Sequence, residues 1–317
     1  MREFRKILLL VTDACEAGPA FRRALDLGRR PGTELTLLDV AEPMSPYVRE
    51  YLDEAAASRL QAAELRRREE RRDSLLARAA AAGVQAQSVL ASDVPFRSAI
   101  GQVLSGAHDL VIKTADTLGP GDAAALGGLD RHLLRECPCP VWIERPGSPD
   151  RLRRILAAVN PHPDAPEDRA LAIDLLHMAA RIAADHGAEL HVLHAWKVIG
   201  EWTLNPAAAG TDPELVPLLG EALNRHARFL DAAVEEAGLD AATIHRLLVH
   251  QRASRAIIDA VANRDIDLLV MGTLGRTGIS GLLMGNTAER VLGEVRCAVL
   301  ACKPTAFVSP VAAAARG

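Results

Sequence analysis

The two halves of this chain repeat each other, and no other feature of the sequence constrains the fold as much. Asp109-Leu110 recurs as Asp267-Leu268, at an offset of 158 residues. The same offset, without a gap, relates Gly127 to Gly285, Glu136 to Glu294, Cys139 to Cys297 and Val141 to Val299. Near the starts of the copies, residues 7–11 match residues 155–159 at a slightly shorter offset. Because the matches keep their order and fall on equivalent elements, they indicate a duplication.

Each copy alternates predicted strands with predicted helices. The strands are rich in Val, Ile and Leu and almost continuously apolar, which is typical of a parallel sheet covered on both faces. They are predicted near residues 6–12, 34–40, 84–90, 109–113 and 140–144, and again near 154–160, 188–195, 243–249, 267–271 and 298–302. Helices are predicted between them, for example at 20–29, 56–82 and 166–187. Right-handed crossovers then give an open, doubly wound α/β sheet in each copy.

The length of 317 residues fits two domains of this kind. Residues 146–150 read Pro-Gly-Ser-Pro-Asp, a turn-rich linker. We therefore predict one domain over 1–147 and a second over 148–304. The remaining segment, 305–317, lacks an amphipathic period and is predicted to be a flexible tail.

Composition excludes several classes of protein. The net charge is -4 and the pI about 6.2, so no domain-wide basic excess suggests a nucleic-acid partner. The five cysteines are too few and too scattered for a secreted disulfide framework. The apolar run at 7–11 is too short for a membrane span, and no signal-type cleavage region follows it. We therefore expect a cytoplasmic protein without a membrane partner.

A glycine-rich segment of the second copy lies between a predicted strand and a predicted helix. It reads Gly272-Thr273-Leu274-Gly275 and continues, after nine intervening residues, with Gly285-Asn286-Thr287. Glycines let the backbone approach a ligand closely, and the helix start behind them offers unpaired N–H groups. This arrangement favours an anion site suited to phosphates. Two simpler interpretations stay open: a tight turn, and a capping role for Asn286 with Glu289 at the third helical position.

The spacing Gly-x2-Gly-x9-Gly, followed by a small polar residue, resembles the nucleotide loop of the universal stress protein family. It is carried by residues 271–278 and 283–289, and it matches neither a Walker A loop nor a dinucleotide turn. The resemblance is to the tandem, two-domain members. It implies two adenine nucleotide alpha hydrolase-like domains with a flavodoxin-like strand order. It also implies a stress-response role, with ATP or a related adenine nucleotide, with or without Mg²⁺, as a regulatory ligand.

The resemblance also implies a set of binding residues in the second copy. In parallel sheets of this kind, ligands bind beyond the carboxyl ends of the strands at the switch point. The residues are Asn160, Ala195, Met271, Gly272, Leu274, Gly275, Gly285, Asn286, Thr287 and Ala288. Asn160 stands where family members commonly carry a ribose-binding acid, and Asn286 where Ser is commoner.

The first copy departs from the nucleotide loop. At the 158 offset Thr114 replaces Gly272, Thr117 replaces Gly275, and only Gly127 is retained. Asp130 replaces Ala288, and its carboxylate would compete with a phosphate for the same amides. Asp13 could stand in for the family's acid, but one residue late. We expect no nucleotide in this copy.

No segment of the sequence has the pattern of a catalytic or metal centre. There is no Ser/His/Asp order, paired carboxylate or HExxH segment, so fast phosphoryl transfer lacks its groups and slow ATP hydrolysis is the most we expect. His191 and His194 are three apart on a strand, point to opposite faces and cannot easily share a metal. A redox or zinc role for Cys137-Pro138-Cys139 is the weaker alternative to a place in the core. The rival to nucleotide binding is a structural or interaction module, or a binder of another, partly apolar ligand.

The last strand of each copy bears on assembly. Residues 141–143 and 299–301 are apolar and lie at a sheet edge in the predicted topology, where an uncovered edge would promote aggregation. Single-domain relatives commonly pair these edges between two chains. The sequence therefore predicts that the two domains dock on each other as an internal pseudo-dimer, and a homodimer of whole chains is a further possibility.

Overall fold

The computed structural model describes residues 3–12, 18–41, 45, 50–116, 126–197, 215–274 and 284–314. The chain divides into two compact units. The described part of the first unit lies between residues 3 and 150 and between 308 and 314. The second is built from Arg151–Phe307.

The first unit alternates strands and helices along the chain. In order, the elements are β1 (Lys6–Val11), α1 (Pro19–Gly28), β2 (Glu34–Val40), α2 (Glu54–Ala81), β3 (Ala86–Ala91), α3 (Pro95–Gly106), β4 (Leu110–Thr114), α4 (Gly128–Glu136) and β5 (Val141–Glu144). The strands run parallel in the order β3-β2-β1-β4-β5.

The second unit has the same sequence of elements. They are β6 (Arg154–Ala158), α5 (Pro166–His186), β7 (Glu189–Trp196), α6 (Leu215–Glu236), β8 (Ile244–His250), α7 (Ala253–Asn263), β9 (Leu268–Gly272), α8 (Asn286–Glu294) and β10 (Ala298–Cys302). The order β8-β7-β6-β9-β10 is again parallel and matches that of the first unit. The predicted duplication and doubly wound α/β class are therefore confirmed.

The predicted flavodoxin-like strand order is wrong. That order would be 2-1-3-4-5, whereas both units have 3-2-1-4-5. The difference arises because the third strand pairs with the second on its outer side, as in the register Leu35↔Ala86. The chain then returns to the free side of the first strand with the fourth, as in Ile7↔Leu110. The switch point therefore lies between β1 and β4 in one unit and between β6 and β9 in the other.

The strand cores explain the continuous apolar runs. Ile7, Leu8 and Leu9 of β1 are completely buried, as are Leu268 and Leu269 of β9. A strand with side chains buried on both faces needs apolar residues at consecutive positions rather than alternate ones.

The repeated aspartate has one structural role in both units. Asp109 accepts hydrogen bonds from the backbone N–H groups of Arg5 and Lys6, at 2.8 and 3.0 Å. Asp267 accepts from the N–H groups of Arg153 and Arg154, at 2.6 and 3.1 Å. Within its own unit, each carboxylate therefore fixes the beginning of the first strand, at the amino ends of the parallel strands.

The tail contains a short helix, α9 (Pro310–Ala314). It belongs to the first unit and packs against α3, and Ser309 just before it is almost completely buried. Within the described residues, no helix is both long and apolar enough to cross a membrane.

Candidate functional site

A cavity of about 460 Å³ opens beyond the carboxyl ends of β6, β7 and β9. Every predicted site residue that the structure describes lines this cavity: Asn160, Ala195, Met271, Gly272, Leu274, Gly285, Asn286, Thr287 and Ala288. Gly275, the remaining predicted residue, lies outside the described residues. The switch point between β6 and β9 brings these groups together, because it separates helices that cover opposite faces of the sheet.

One end of the cavity is the beginning of helix α8. Gly285 is the N-cap, with φ -66° and ψ 146°, and no side chain among the described residues caps the helix. The Gly285 N–H donates a hydrogen bond to the Thr273 carbonyl oxygen at 2.9 Å. The next three residues, Asn286 to Ala288, supply first-turn N–H groups that have no partner within a helix. This end of the cavity is therefore suited to an anion.

The capping role considered for Asn286 is wrong. Asn286 is already the first helical residue, and the first helical hydrogen bond runs from the Glu289 N–H to the Gly285 carbonyl oxygen at 2.9 Å. The isolated bridge between Leu274 and Met284 brings the chain back beside the end of β9. The extended residue at the helix start is therefore Gly285, and Asn286 is left to line the cavity.

The absence of a side chain at Gly272 leaves room for the side chain of Leu171. A Cβ atom at this position would lie 2.9 Å from Cδ2 of Leu171 on α5. Leu171 also lines the cavity. The absence of a side chain at 272 therefore allows α5 to pack close to the end of β9, and this packing sets the width of the cavity.

The sequence analysis missed an acidic residue in the cavity. Asp168, in the first turn of α5, accepts a hydrogen bond from Asn160 Nδ2 at 3.0 Å, and both residues line the cavity. A carboxylate is therefore present near the end of β6, although it comes from the following helix. Its sequence signal was weak, because Glu167 and Asp168 directly after a proline are also the usual acidic residues of a helix start.

The wall between these two polar ends is aliphatic. It is formed by Leu171, Ala172 and Leu175 of α5, Leu193 and Ala195 of β7, and Ala253 and Ile257 of α7. A planar, mostly apolar group would fit between them, with polar groups at either end.

Comparison with known proteins agrees with this architecture. The model of the universal stress protein family matches residues 3–145 and 152–303, once for each unit. The chain belongs to the universal stress protein family. Universal stress protein E of Escherichia coli K12 is 31% identical over 222 residues, which are 68% of this chain and 67% of that protein. The universal stress protein E homolog of Haemophilus influenzae is 26% identical over 311 residues, 96% of this chain and 98% of that protein.

A solved structure also resembles the whole chain of this universal stress protein. The crystal structure of a functionally unknown protein from Pseudomonas aeruginosa PAO1 is 26% identical and superposes with a TM-score of 0.70. The match covers 95% of this chain and 93% of that chain. The fold is therefore shared over nearly the full length.

The first universal stress domain has charged groups where the second has its cavity end. Asp130 takes the place of Ala288 and accepts hydrogen bonds from the N–H groups of Gly127 and Asp116, both at 3.0 Å. The buried Lys113, which corresponds to Met271, donates to Asp116 at 2.6 Å and to Asp130. Burial raises the pKa of Asp130 and Lys113 opposes the rise. The Asp130 carboxylate therefore occupies the N-cap amide of α4. Thr117 and Asp13 lie outside the described residues.

Packing against Asp116 explains why the first domain retains a glycine at position 127. A Cβ atom on Gly127 would lie 2.3 Å from Oδ2 of Asp116. Only a residue without a side chain leaves room for this carboxylate beside α4. Gly127 and Gly285 therefore share a position in the repeat and meet different surroundings.

The histidines and cysteines are mostly parts of the packing. His194 has Nδ1 at 3.2 Å from the Val159 carbonyl oxygen and Nε2 at 2.9 Å from Nδ1 of His226. Cys137 and Cys139 are buried, with their sulfur atoms 3.6 Å apart. Sequence reasoning compared His191 with His194 but missed its lateral neighbour on β8, His245, because strand pairing is not visible in the sequence.

Proposed function

We propose that the second universal stress domain binds ATP or a related adenine nucleotide as a regulatory ligand in a stress response. The observation that carries the proposal is the uncapped start of α8 at one end of the 460 Å³ cavity. First-turn amides and the positive end of the helix dipole favour phosphate groups there.

The rest of the cavity suits the other parts of a nucleotide. Asp168 and Asn160 supply hydrogen-bonding oxygens for ribose hydroxyl groups. The aliphatic surface of Leu193, Ala195 and Ile257 would pack against the adenine ring. We assign the phosphates to the amides of residues 286–288.

The lining residues support a regulatory ligand over a rapidly hydrolysed substrate. Among the described residues that line the cavity, Asp168 is the one with a titratable side chain, and it already accepts a hydrogen bond from Asn160. Fast phosphoryl transfer needs a group that orients the nucleophile and carboxylates that hold the metal.

A second candidate is a partly apolar ligand that is not a nucleotide. The aliphatic wall from Leu171 to Leu175, with Ile257 opposite, favours it. Mass spectrometry of small molecules released from freshly purified, denatured protein separates the two, because a nucleotide and an apolar ligand differ in mass and ultraviolet absorbance.

The nucleotide proposal can be tested by replacing Ala288 with the residue found at the equivalent position of the first domain. Ala288→Asp copies Asp130 of the first domain, which accepts a hydrogen bond from the N-cap N–H group of Gly127, and its negative charge at the start of α8 would repel phosphate. Ala288→Asn is the matched control, since it has nearly the same shape without the charge. We expect calorimetry to find saturable ATP binding by the wild type, with at least about tenfold weaker binding for Ala288→Asp than for Ala288→Asn.

The same titration measures the number of sites. The N-cap amide of α4 donates to the Asp130 carboxylate, whereas no side chain among the described residues caps α8. We therefore propose about one nucleotide per chain. The nucleotide proposal is abandoned if the wild type shows no binding at millimolar ATP, or if the aspartate and asparagine variants bind alike.

We also propose that the two domains dock as an internal pseudo-dimer, on the grounds of the apolar last strands of both copies. Residues 1–147 and 148–317, produced separately, should then self-associate or bind each other in light scattering. The proposal would be contradicted if both halves were stably monomeric and did not bind each other.

A further inference from the structure

Three potential metal ligands lie together on strands β7 and β8. Glu189 is the first residue of β7, and His191 follows two residues later on the same face of the strand. His245 of β8 is the direct register partner of His191, so their side chains lie next to each other. The two imidazole rings stack with centroids 4.6 Å apart, and one donor atom from each of the three residues lies within 4.8 Å of the others.

The spacing is close to what a metal ion requires. His191 Nε2 lies 3.6 Å from Glu189 Oε2. Zn²⁺ binds nitrogen and oxygen at about 2.0–2.1 Å, so two of its tetrahedral ligands lie about 3.3 Å apart. Small rotations of the exposed Glu189 and His245 side chains would therefore close the site without a movement of the strands.

The ring nitrogens of His191 are buried and form no hydrogen bond with the described residues. The residue is only 4% exposed, and neither Nδ1 nor Nε2 has a hydrogen-bond partner among the described residues. A buried polar group without a partner is destabilising, and buried side-chain nitrogens are normally paired.

Charges around the cluster narrow the choice of ion. Arg154 Nε lies 3.5 Å from Glu189 Oε2, and its Nη1 lies 3.3 Å from Asp265 Oδ2. The carboxylates near the site are thus paired with an arginine, and the surroundings supply little net negative charge. Ions that depend on charged oxygen ligands, such as Ca²⁺ and Mg²⁺, are therefore disfavoured against ions that prefer imidazole.

We propose that Glu189, His191 and His245 form a binding site for one transition-metal ion of the Zn²⁺ type. Two histidines and one glutamate, with water in the fourth position, are an established ligand set for Zn²⁺. The site lies at the amino ends of β7 and β8, whereas the cavity lies beyond the carboxyl end of β7. The ion would join the two strands and is independent of nucleotide binding.

The test uses the full chain after removal of metals with a chelator, and zinc chloride alone as the titrant. We expect calorimetry to show one tight Zn²⁺ per chain, and Co²⁺ to give the intense visible absorption of a tetrahedral site. Glu189→Gln and His245→Asn change exposed side chains and should each weaken binding at least about tenfold, since loss of even an outer-shell partner has such an effect. His132→Asn is the matched control, because His132 also lies beside a carboxylate, Glu136, at 2.9 Å but is in no three-ligand cluster among the described residues.

A variant of the buried ligand distinguishes metal binding from a packing role. His191→Leu removes the unpaired nitrogens, so the metal-free variant should melt at the same temperature as the metal-free wild type or higher. Zinc should raise the melting temperature of the wild type and of His132→Asn, and leave that of His191→Leu unchanged. The proposal is overturned if the wild type binds no zinc, or if Glu189→Gln and His245→Asn bind it as tightly as His132→Asn does.

Discussion

At the scale of single residues, Asp168 changes the interpretation of the candidate site. Asn160 at the end of β6 has no charge, at the position where the family resemblance implied a ribose-binding acid. The carboxylate of Asp168 lies 3.0 Å from the Asn160 amide nitrogen and shares the cavity with it. The pair therefore combines the amide from the strand with an acid from the next helix.

We predict that Asp168→Asn weakens ATP binding about tenfold, because a hydrogen bond to a charged group is worth roughly 1.5–3 kcal/mol. Glu167→Gln is the control, since Glu167 is in the same helical turn, is exposed and does not line the cavity. Calorimetry at constant ionic strength makes the comparison. Equal affinities of the two variants would remove Asp168 from the ribose site.

At the scale of elements, helices α4 and α8 occupy equivalent positions of the repeat, but their first turns have different surroundings. Both begin after a glycine at equivalent positions of the repeat. In α4 the start is satisfied by Asp130, whose charge is compensated by the buried Lys113. In α8 the corresponding residues are Ala288 and Met271, and the helix start faces a cavity instead.

We predict that Lys113→Met destabilises the protein by about 3–5 kcal/mol, because it leaves the buried Asp130 carboxylate without a counter-ion. The double variant Lys113→Met with Asp130→Ala reproduces the pair found in the second domain and should recover much of that loss. Urea unfolding followed by circular dichroism measures all three free energies. A double variant no more stable than the single one would contradict this account.

The loss caused by Lys113→Met should depend on pH. Burial raises the pKa of Asp130, and removing Lys113 removes the main opposing effect. A carboxyl whose pKa is higher in the folded than in the unfolded chain stabilises the fold below its unfolded pKa, about 4, and that stabilisation is lost as pH rises through the folded-state pKa. The deficit of the variant should therefore be smaller at about pH 5 than at about pH 8. A deficit that is constant, or larger in acid, would show that Asp130 is not its cause.

At the scale of the whole molecule, the duplicated chain has two domains with one fold and different interiors. The tail that follows the second domain is part of the first unit, where α9 packs on α3. The two units are therefore not simply the first and second halves of the sequence. The structure places the described residues 308–314 in the first unit, although the sequence predicted only a flexible extension.

We predict that deleting residues 308–317 loosens the first unit and leaves ATP binding unchanged. Loss of α9 uncovers part of α3, so amide hydrogens of α3 should exchange faster. Deleting only 315–317 is the matched control, because it retains α9. Hydrogen exchange read by mass spectrometry would contradict the prediction if both deletions left α3 equally protected.

Much of the candidate site could be predicted because its signals are local in sequence. The sequence around Gly272, Gly285 and Asn286 predicted a strand, a glycine-rich segment and a helix start, and the structure brings these residues to one cavity. Asp168 and Leu171 could not be assigned in the same way. They reach the cavity through the packing of α5 on the sheet, which depends on side chains distant in sequence.

The sequence by itself determined the duplication, the α/β class and the approximate positions of the strands, since hydrophobic pattern and repeat spacing are properties of the chain. Tertiary structure alone decided the order of strands, because the side on which a strand pairs depends on the path of the crossovers. It also decided which residue caps α8 and which histidine lies beside His191. Each of these depends on contacts between elements, and a contact of that kind has no fixed spacing along the sequence.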